Sequence, residues 1–376
     1  MKKKMVSMLL CLAMTVGMLS GCGAKDSQGN TQSDVAGTES EDTNVSNEET
    51  EGTEGTETAE LTILIDGSTE GTDGYLIKQG AKGFEEKYGV KGYSTVKEMV
   101  EAEALDAVSV ATSDPYHFDP CKDAIEAGVK YLLIEKPMAL TVKECEELME
   151  LAEKNNVKIS VDFHKRWDPA YNCIKDDIKS EDKKIIRGYM SLDDVIAVPE
   201  QWFTWTDKSS PAWFLGVHCY DLIRYITESE VEKVYAVGNK EVLKKKGYNT
   251  WDNLQAVLTM KDGSNWTVET SWILPNTFPK SNDGQLVILT ENKYFKNESY
   301  RGVKSYSDKK QGIPNYIFMN FGENSASGFG LEPMQEFVSD IVNGREFRTS
   351  AFDGLQATKI AAAVHESAET GKVIYL

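Results

Sequence analysis

The chain has 376 residues, 40% of them hydrophobic and 27% charged, with a formal net charge of −19. Eleven acids in residues 26–60 and four lysines in residues 1–25 leave −12 for the remainder, an ordinary balance for a soluble enzyme. That remainder is long enough for two domains, and no Lys/Arg cluster in it suggests a nucleic-acid partner.

In chain order, Lys2, Lys3 and Lys4 form a basic start, and "MVSMLLCLAMTVGML" is an apolar stretch too short for a comfortable membrane span. "LSGC", residues 19–22, then resembles the lipobox of bacterial lipoproteins. That resemblance implies a signal peptide over 1–21, cleavage before Cys22 and a lipid on the Cys22 sulfur. A plain signal peptide with an incidental cysteine is the other reading. Residues 22–60 are rich in Ser, Thr, Gly, Asn and Glu and hold no aromatic residue. Such a segment cannot bury enough apolar surface to offset its ordering entropy, so a disordered acidic tether is expected.

From residue 61 strands and helices alternate. "ELTILID" reads as a strand and "YLIKQGAKGFEEKYG" as an amphipathic helix. "TVKEMVEAEA" is a short helix, and "DAVSVAT" a buried strand. "DPCKDAIEAG" is a helix ended by Gly128, and "VKYLLIEKP" a strand. "TVKECEELMELAEKNN" is a helix whose Thr141 and Glu144 form a capping box, and "VKISVDF" is a strand. Alternation of this kind predicts a parallel sheet with helices on both faces, over 61–163. After about residue 180 the strands lengthen and alternate, as in "KKIIRGYMSLDD", "VEKVYAVGNKEV", "LQAVLTMKDGSNWTVETSW" and "GQLVILTEN", with Asp262-Gly263 as a hairpin turn. Two helices close the chain. Residues 164–376 therefore read as an α+β domain with a large, mainly antiparallel sheet. Cys121, Cys145, Cys173 and Cys219 show no CxxC or zinc spacing. They read as reduced core residues, at odds with an export signal, and no metal site is expected.

Five spaced motifs resemble the Gfo/Idh/MocA oxidoreductases, from about Glu85 to the end. They are "DAVSVATSDPYHFDP", "AIEAGVKYLLIEKPMALT", "VDFHKRWDPAY", "WFLGVHCYDLIRYIT" and the closing helices. The resemblance implies a nicotinamide-dependent dehydrogenase of a sugar, inositol or similar polyol, using NAD or NADP, often as an oligomer. It implies Lys136 and His218 as the catalytic pair. It implies cofactor contacts from Thr112, His117, Glu135, Lys136 and Pro137, and substrate contacts from Lys136, Lys165, Arg166, Trp213 and Asp221.

The chemistry fits these residue types. Oxidising a secondary alcohol needs a base for the hydroxyl proton, and histidine suits that task. A lysine beside the reacting oxygen donates a hydrogen bond to it. Pro137 after Lys136 fits a cis peptide that aims the lysine into the cleft. Outside the motif context Lys136 is an ordinary strand-end lysine and His218 a satisfied core histidine. His117 reads equally as helix-end packing. Lys165 and Arg166 read equally as partners of carboxylates. Trp202, Trp205 and Trp213 read as core packing ahead of sugar stacking, and His164 and His365 as structural. The family often has an aspartate four residues before the histidine, and Phe214 stands there instead.

The opening of the parallel domain departs further. Gly67, Gly71 and Gly74 do not make Gly-x-Gly-x-x-Gly, and Asp66, Glu70 and Asp73 crowd them with negative charge. One strand–helix unit is missing by count, which makes the Rossmann-like domain incomplete. Residues 1–85 resemble instead an extracellular sugar-binding lipoprotein, and a fusion near "EKYGVK" joins the two resemblances. Impaired cofactor binding is one consequence. The alternative function is a non-catalytic, surface-anchored carbohydrate-binding lipoprotein. Location follows the same fork: lipid-anchored and extracytoplasmic by the signal, or cytoplasmic if the N-terminus is a fusion artefact.

Overall fold

The computed structural model describes residues 63–64, 91–306, 308, 311–313, 317–321 and 325–376. The signal peptide, Cys22, the tether, the helix expected over 75–89 and the loop holding Gly67, Gly71 and Gly74 lie outside the described residues. Of the first expected strand, Ile63–Leu64 (β1) is described, paired parallel with Gly92–Tyr93 (β2).

The parallel half follows the sequence pattern closely. It runs α1 (Val96–Glu103), β3 (Ala107–Val110), α2 (Phe118–Glu126), β4 (Tyr131–Glu135), α3 (Val142–Asn155) and β5 (Lys158–Asp162). The strands form a parallel sheet in the order β3-β4-β5. Leu132, Leu133 and Ile134 of β4 are buried in succession, as a strand covered on both faces requires. Gly128, just past α2, has φ +94°, the left-handed turn that stops the helix. At the start of α3 the Thr141 hydroxyl accepts the Glu144 N–H at 3.1 Å and donates to the Glu144 carboxylate at 2.9 Å. The return arm of the expected capping box thus lands on the hydroxyl rather than on the Thr141 backbone.

After α4 (Pro169–Ser180), a seven-stranded sheet is built from β6 (Ile185–Val195), β7 (Val231–Asn239), β8 (Asn253–Met260), β9 (Asn265–Leu274), β10 (Asn282–Thr290) and β11 (Tyr294–Glu298). Helices α5 (Val217–Thr227) and α6 (Val242–Lys245) interrupt it. Two small hairpins follow, β12 (Ser305–Tyr306) with β13 (Gln311–Gly312) and β14 (Asn320–Phe321) with β15 (Ala326–Ser327). Helices α7 (Glu332–Asn343) and α8 (Ala351–Thr370) come next, and β16 (Ile374–Tyr375) adds to the edge of the large sheet. The sheet order is β11-β10-β6-β9-β8-β7-β16, antiparallel except for the central parallel pair β6–β9. Asp262 and Gly263 (φ +87°) turn β8 into β9 as the pair predicts.

Helix α8 ties the two halves together, packing on β7, α5, α3 and β5. In the sheet, the Trp266 ring lies on Gly188, where an added Cβ would sit 2.1 Å from its Cε3. Gly188→Ala is therefore expected to cost about 1–3 kcal/mol through overpacking, read as a lower midpoint in thermal or urea melts.

Candidate active site

Lys136 is the hub of the site. It sits at the carboxyl end of β4, where ligands bind in open parallel sheets, and the Lys136–Pro137 peptide is cis. The side chain is buried, at 8% exposure. Its ammonium donates to the Phe214 carbonyl at 3.1 Å and lies 3.9 Å above the Phe214 ring. The position that lacks a carboxylate thus still holds the lysine, through a carbonyl and an aromatic face. Among the described residues the ammonium has no other hydrogen-bond partner, which leaves two N–H donors for a ligand.

One helical turn beyond Phe214, His218 is buried in α5. Its Nδ1 has no hydrogen-bond partner. The His164 ring meets it edge-on, with centroids 4.5 Å apart, and Phe163 lies 6.4 Å away. Burial first, then the neighbouring His164, Lys136 and Lys165, hold His218 well below its ordinary pKa. His164 is held low by burial and by Lys165 and Lys136. Phe318 and Phe329 pack on the His164 ring at 5.2 and 6.0 Å, so the segment before α7 walls this side of the site.

The other sequence-expected residues divide. Each ring nitrogen of His117 faces a backbone carbonyl, Nδ1 that of Pro137 at 2.5 Å and Nε2 that of Thr112 at 2.7 Å. His117 is a strap joining the loops after β3 and β4, with no ring nitrogen left for a ligand. The Thr112 hydroxyl donates to the Tyr116 carbonyl at 2.8 Å. Glu135 and Asp162 are register partners at the ends of β4 and β5. Lys165 is half-buried, with its pKa lowered by burial.

Arg166, read equally as a substrate contact and as a partner of carboxylates, is bonded to Asp221. Arg166 donates from Nε at 2.8 Å and from Nη2 at 2.6 Å to the Asp221 carboxylate, from Nη2 to Asp353 at 2.8 Å and from Nη1 to the Arg348 carbonyl at 3.1 Å. Both side chains are almost wholly buried, at 7% and 2% exposure. Every guanidinium nitrogen is bonded within the protein, at the joint between α5, α8 and the turn after β5. Trp213 stacks on His365 at 5.2 Å, and His365 bonds Ser210 and the Ala361 carbonyl, so this pair packs structurally.

Three polar groups escape the sequence reading. Oδ1 of Asp162 is buried without a hydrogen-bond partner, while the buried Asp194 carboxyl and the Trp272 indole N–H lie close enough to act on each other. Burial and then the Glu135 carboxylate push Asp162 well up, with Lys136 opposing. Burial pushes Asp194 up to about 8, again against Lys136. Lys280, which donates to the Ser299 carbonyl at 3.0 Å, is lowered to about 8 by burial and then by Lys165. Among the described residues no group of three His, Cys, Asp or Glu side chains could hold a metal ion, and no helix is long and apolar enough to cross a membrane.

A parallel α/β half whose strand ends meet a second, helix-covered sheet at a lysine–histidine pair is the layout of a two-domain oxidoreductase. Two family models match the chain, one at residues 56–163, described as the oxidoreductase family with NAD-binding Rossmann fold, and one at 185–294, the GFO/IDH/MocA C-terminal domain. Together they span more than half of it, and the chain belongs to the Gfo/Idh/MocA family. The match begins at residue 56, upstream of Glu85, so the glycine-containing stretch falls inside it.

Relatives include the rhizopine catabolism protein MocA of Rhizobium meliloti, 26% identical over 48% of this chain and 56% of that protein. The myo-inositol 2-dehydrogenase of Thermotoga maritima is 23% identical over 77% and 86%. Among solved structures, the myo-inositol 2-dehydrogenase of Lactobacillus plantarum superposes with a TM-score of 0.70, at 22% identity over 85% of this chain and 92% of that one. The scyllo-inositol dehydrogenase of Lactobacillus casei, with bound NAD(H) and scyllo-inositol, gives 0.67 at 19% identity over 84% and 99%.

Proposed function

We propose that the chain is an NAD(P)-dependent dehydrogenase of inositol or a related sugar polyol. The observation that carries this reading is the convergence of Lys136 and a neutral His218 at the carboxyl edge of the parallel sheet. The edge suits the nicotinamide end of the cofactor: Asp162 Oδ1 is buried there without a protein partner, beside Glu135 and Lys136. Lys136, Glu135 and Asp162 would hold that end, while the pyrophosphate end would fall to residues outside the described set. When bound, NAD(P) supplies the two-electron acceptor for the carbinol hydrogen.

The protein supplies the rest. The Lys136 ammonium, already anchored on Phe214, donates a hydrogen bond to the substrate oxygen and stabilises negative charge on it. His218 accepts the hydroxyl proton, since a neutral imidazole has one bare nitrogen. Phe318, Phe329 and Phe163 exclude water around the two histidines, which strengthens both interactions.

The test is cofactor reduction with NAD+ and NADP+ over a panel of myo-inositol, scyllo-inositol and hexoses. Because His218 is held low, its loss by protonation comes only well below the ordinary imidazole range. The pH profile of kcat/KM should therefore stay flat through pH 6.5 on its acid side. An acid limb centred near 6.5 would place the base elsewhere.

One feature of the sequence favours a second reading. Asp66, Glu70 and Asp73 beside Gly67, Gly71 and Gly74 make a poor phosphate cradle. In that reading the chain is anchored through a lipid on Cys22 and faces outward, holding a carbohydrate without turning it over. Polyol binding without cofactor binding would be its signature. The family match from residue 56 supports the dehydrogenase reading over a junction near "EKYGVK".

A further inference from the structure

Two carbonyl oxygens face the ring of His117, which is buried at 1% exposure. Its Nδ1 lies 2.5 Å from the Pro137 carbonyl and its Nε2 lies 2.7 Å from the Thr112 carbonyl. A carbonyl oxygen only accepts, so each nitrogen must donate to make its bond. Neutral imidazole carries a single N–H, and its other nitrogen is an acceptor. A neutral ring in this place would set a bare lone pair against a carbonyl oxygen, away from water. Only the imidazolium makes both bonds. His365 shows the contrast. Its Nδ1 faces the Ala361 carbonyl at 2.7 Å, but its Nε2 faces the Ser210 hydroxyl at 2.7 Å, which can donate. A neutral ring satisfies both of those partners.

A buried cation needs a counter-charge. Asp114, on the turn before His117, is buried at 4% exposure and accepts the Ser209 hydroxyl at 2.9 Å. Burial pushes the Asp114 carboxyl up, while Lys136 first and then His117 pull it back toward the carboxylate. Asp119 adds a carboxylate to the first turn of α2, whose N-terminal N–H groups by themselves oppose a cation at His117. Lys208, the further cation on this side, is exposed and bonds the Tyr116 hydroxyl at 2.7 Å. Both carbonyls bonded by His117 bear on the site. Pro137 follows Lys136 directly, and Thr112 stands just past β3, the strand beside β4.

We propose that His117 is a positioning residue of this site: as the imidazolium it ties the loops after β3 and β4 together and so holds Lys136 in place, and on losing its proton it releases one of the two carbonyls. The charge of the ring rests on the hydrogen-bond geometry alone. Its effect on turnover rests on the dehydrogenase reading.

The test is NMR of the full chain, labelled with 15N in the histidine rings, at about pH 6. The chain has four histidines. Burial holds His164, His218 and His365 below the ordinary imidazole value. The expected spectrum has one ring with both nitrogens protonated, and its signals vanish in His117→Gln. Should that variant fail to fold, His164→Gln, His218→Gln and His365→Gln assign the ring by elimination. A His117 ring with one bare nitrogen overturns the inference. Turnover gives the second arm. As pH rises, kcat of the parent should fall with the same midpoint as the loss of the His117 proton. The glutamine amide has one nitrogen and serves one carbonyl, so His117→Gln should lower kcat roughly 10–100-fold, leave the polyol KM nearly unchanged and abolish that alkaline limb. A merely structural ring would lower the melting point without moving the pH profile. A parent fully active at a pH where His117 shows a bare nitrogen overturns the positioning role alone. A parent inert toward polyols overturns the dehydrogenase reading and the effect on turnover, while the spectrum still decides the charge of the strap.

Discussion

Replacing Lys136 by methionine should reduce kcat for polyol oxidation by about 10²–10³-fold, with little change in thermal stability. The substitution keeps the length and apolar stem but removes the ammonium. Among the described residues that group hydrogen-bonds the Phe214 carbonyl and lies over the Phe214 ring. Both fixed contacts hold the lysine; neither depends on it for folding. The carbonyl left behind loses one partner, a modest cost of about 1 kcal/mol. A methionine in this place also packs on Phe214 through its thioether, worth up to about 1 kcal/mol in return. Stability and turnover are thus expected to separate. Steady-state kinetics and melting on one preparation read both. An equal fall in both would show Lys136 to be a structural residue.

The second large effect concerns folding. Asp221→Ala should destabilise the chain by about 3–5 kcal/mol, because it leaves the buried Arg166 guanidinium short of its two-point partner. The melting point should fall by on the order of 10 °C. Asp353 and the Arg348 carbonyl remain on Arg166 and soften the loss. Arg224, which bonds Glu230 at 2.7 Å and Asp353 at 3.1 Å, extends the same cluster. Because the pair is buried, salt should not abolish the effect. A variant as stable as the parent in urea melts would contradict the assignment of Arg166 and Asp221 to the joint.

Much of the fold was legible because each element carries its own signal. Consecutive apolar residues in "YLLIE" mark a strand covered on both faces, and period-two alternation in "NWTVETSW" marks one with a single core face. Thr141, Gly128 and Asp262-Gly263 mark ends and turns through local chemistry. The parallel β6–β9 pair has no such local signal, since register between strands 80 residues apart is set by packing. The site divides in the same way. Lys136 and His218 stand in recognisable motifs, and both come to the strand ends. Arg166 and Asp221 lie 55 positions apart, and only the fold shows that they satisfy each other. Asp194 is adjacent to another aspartate, and a sequence cannot tell which of the two faces the core. His164 was hidden beside a basic pair, although Phe318 and Phe329 come from more than 150 residues away to cover it.

The account stands on cofactor binding, so the decisive measurement is calorimetric titration of the full chain with NAD(H) and NADP(H). Binding in the micromolar range, weakened by substitution at Lys136, is the predicted result. No heat at millimolar cofactor, in a protein that still binds a polyol, would contradict it and leave a carbohydrate-binding protein built on a dehydrogenase fold.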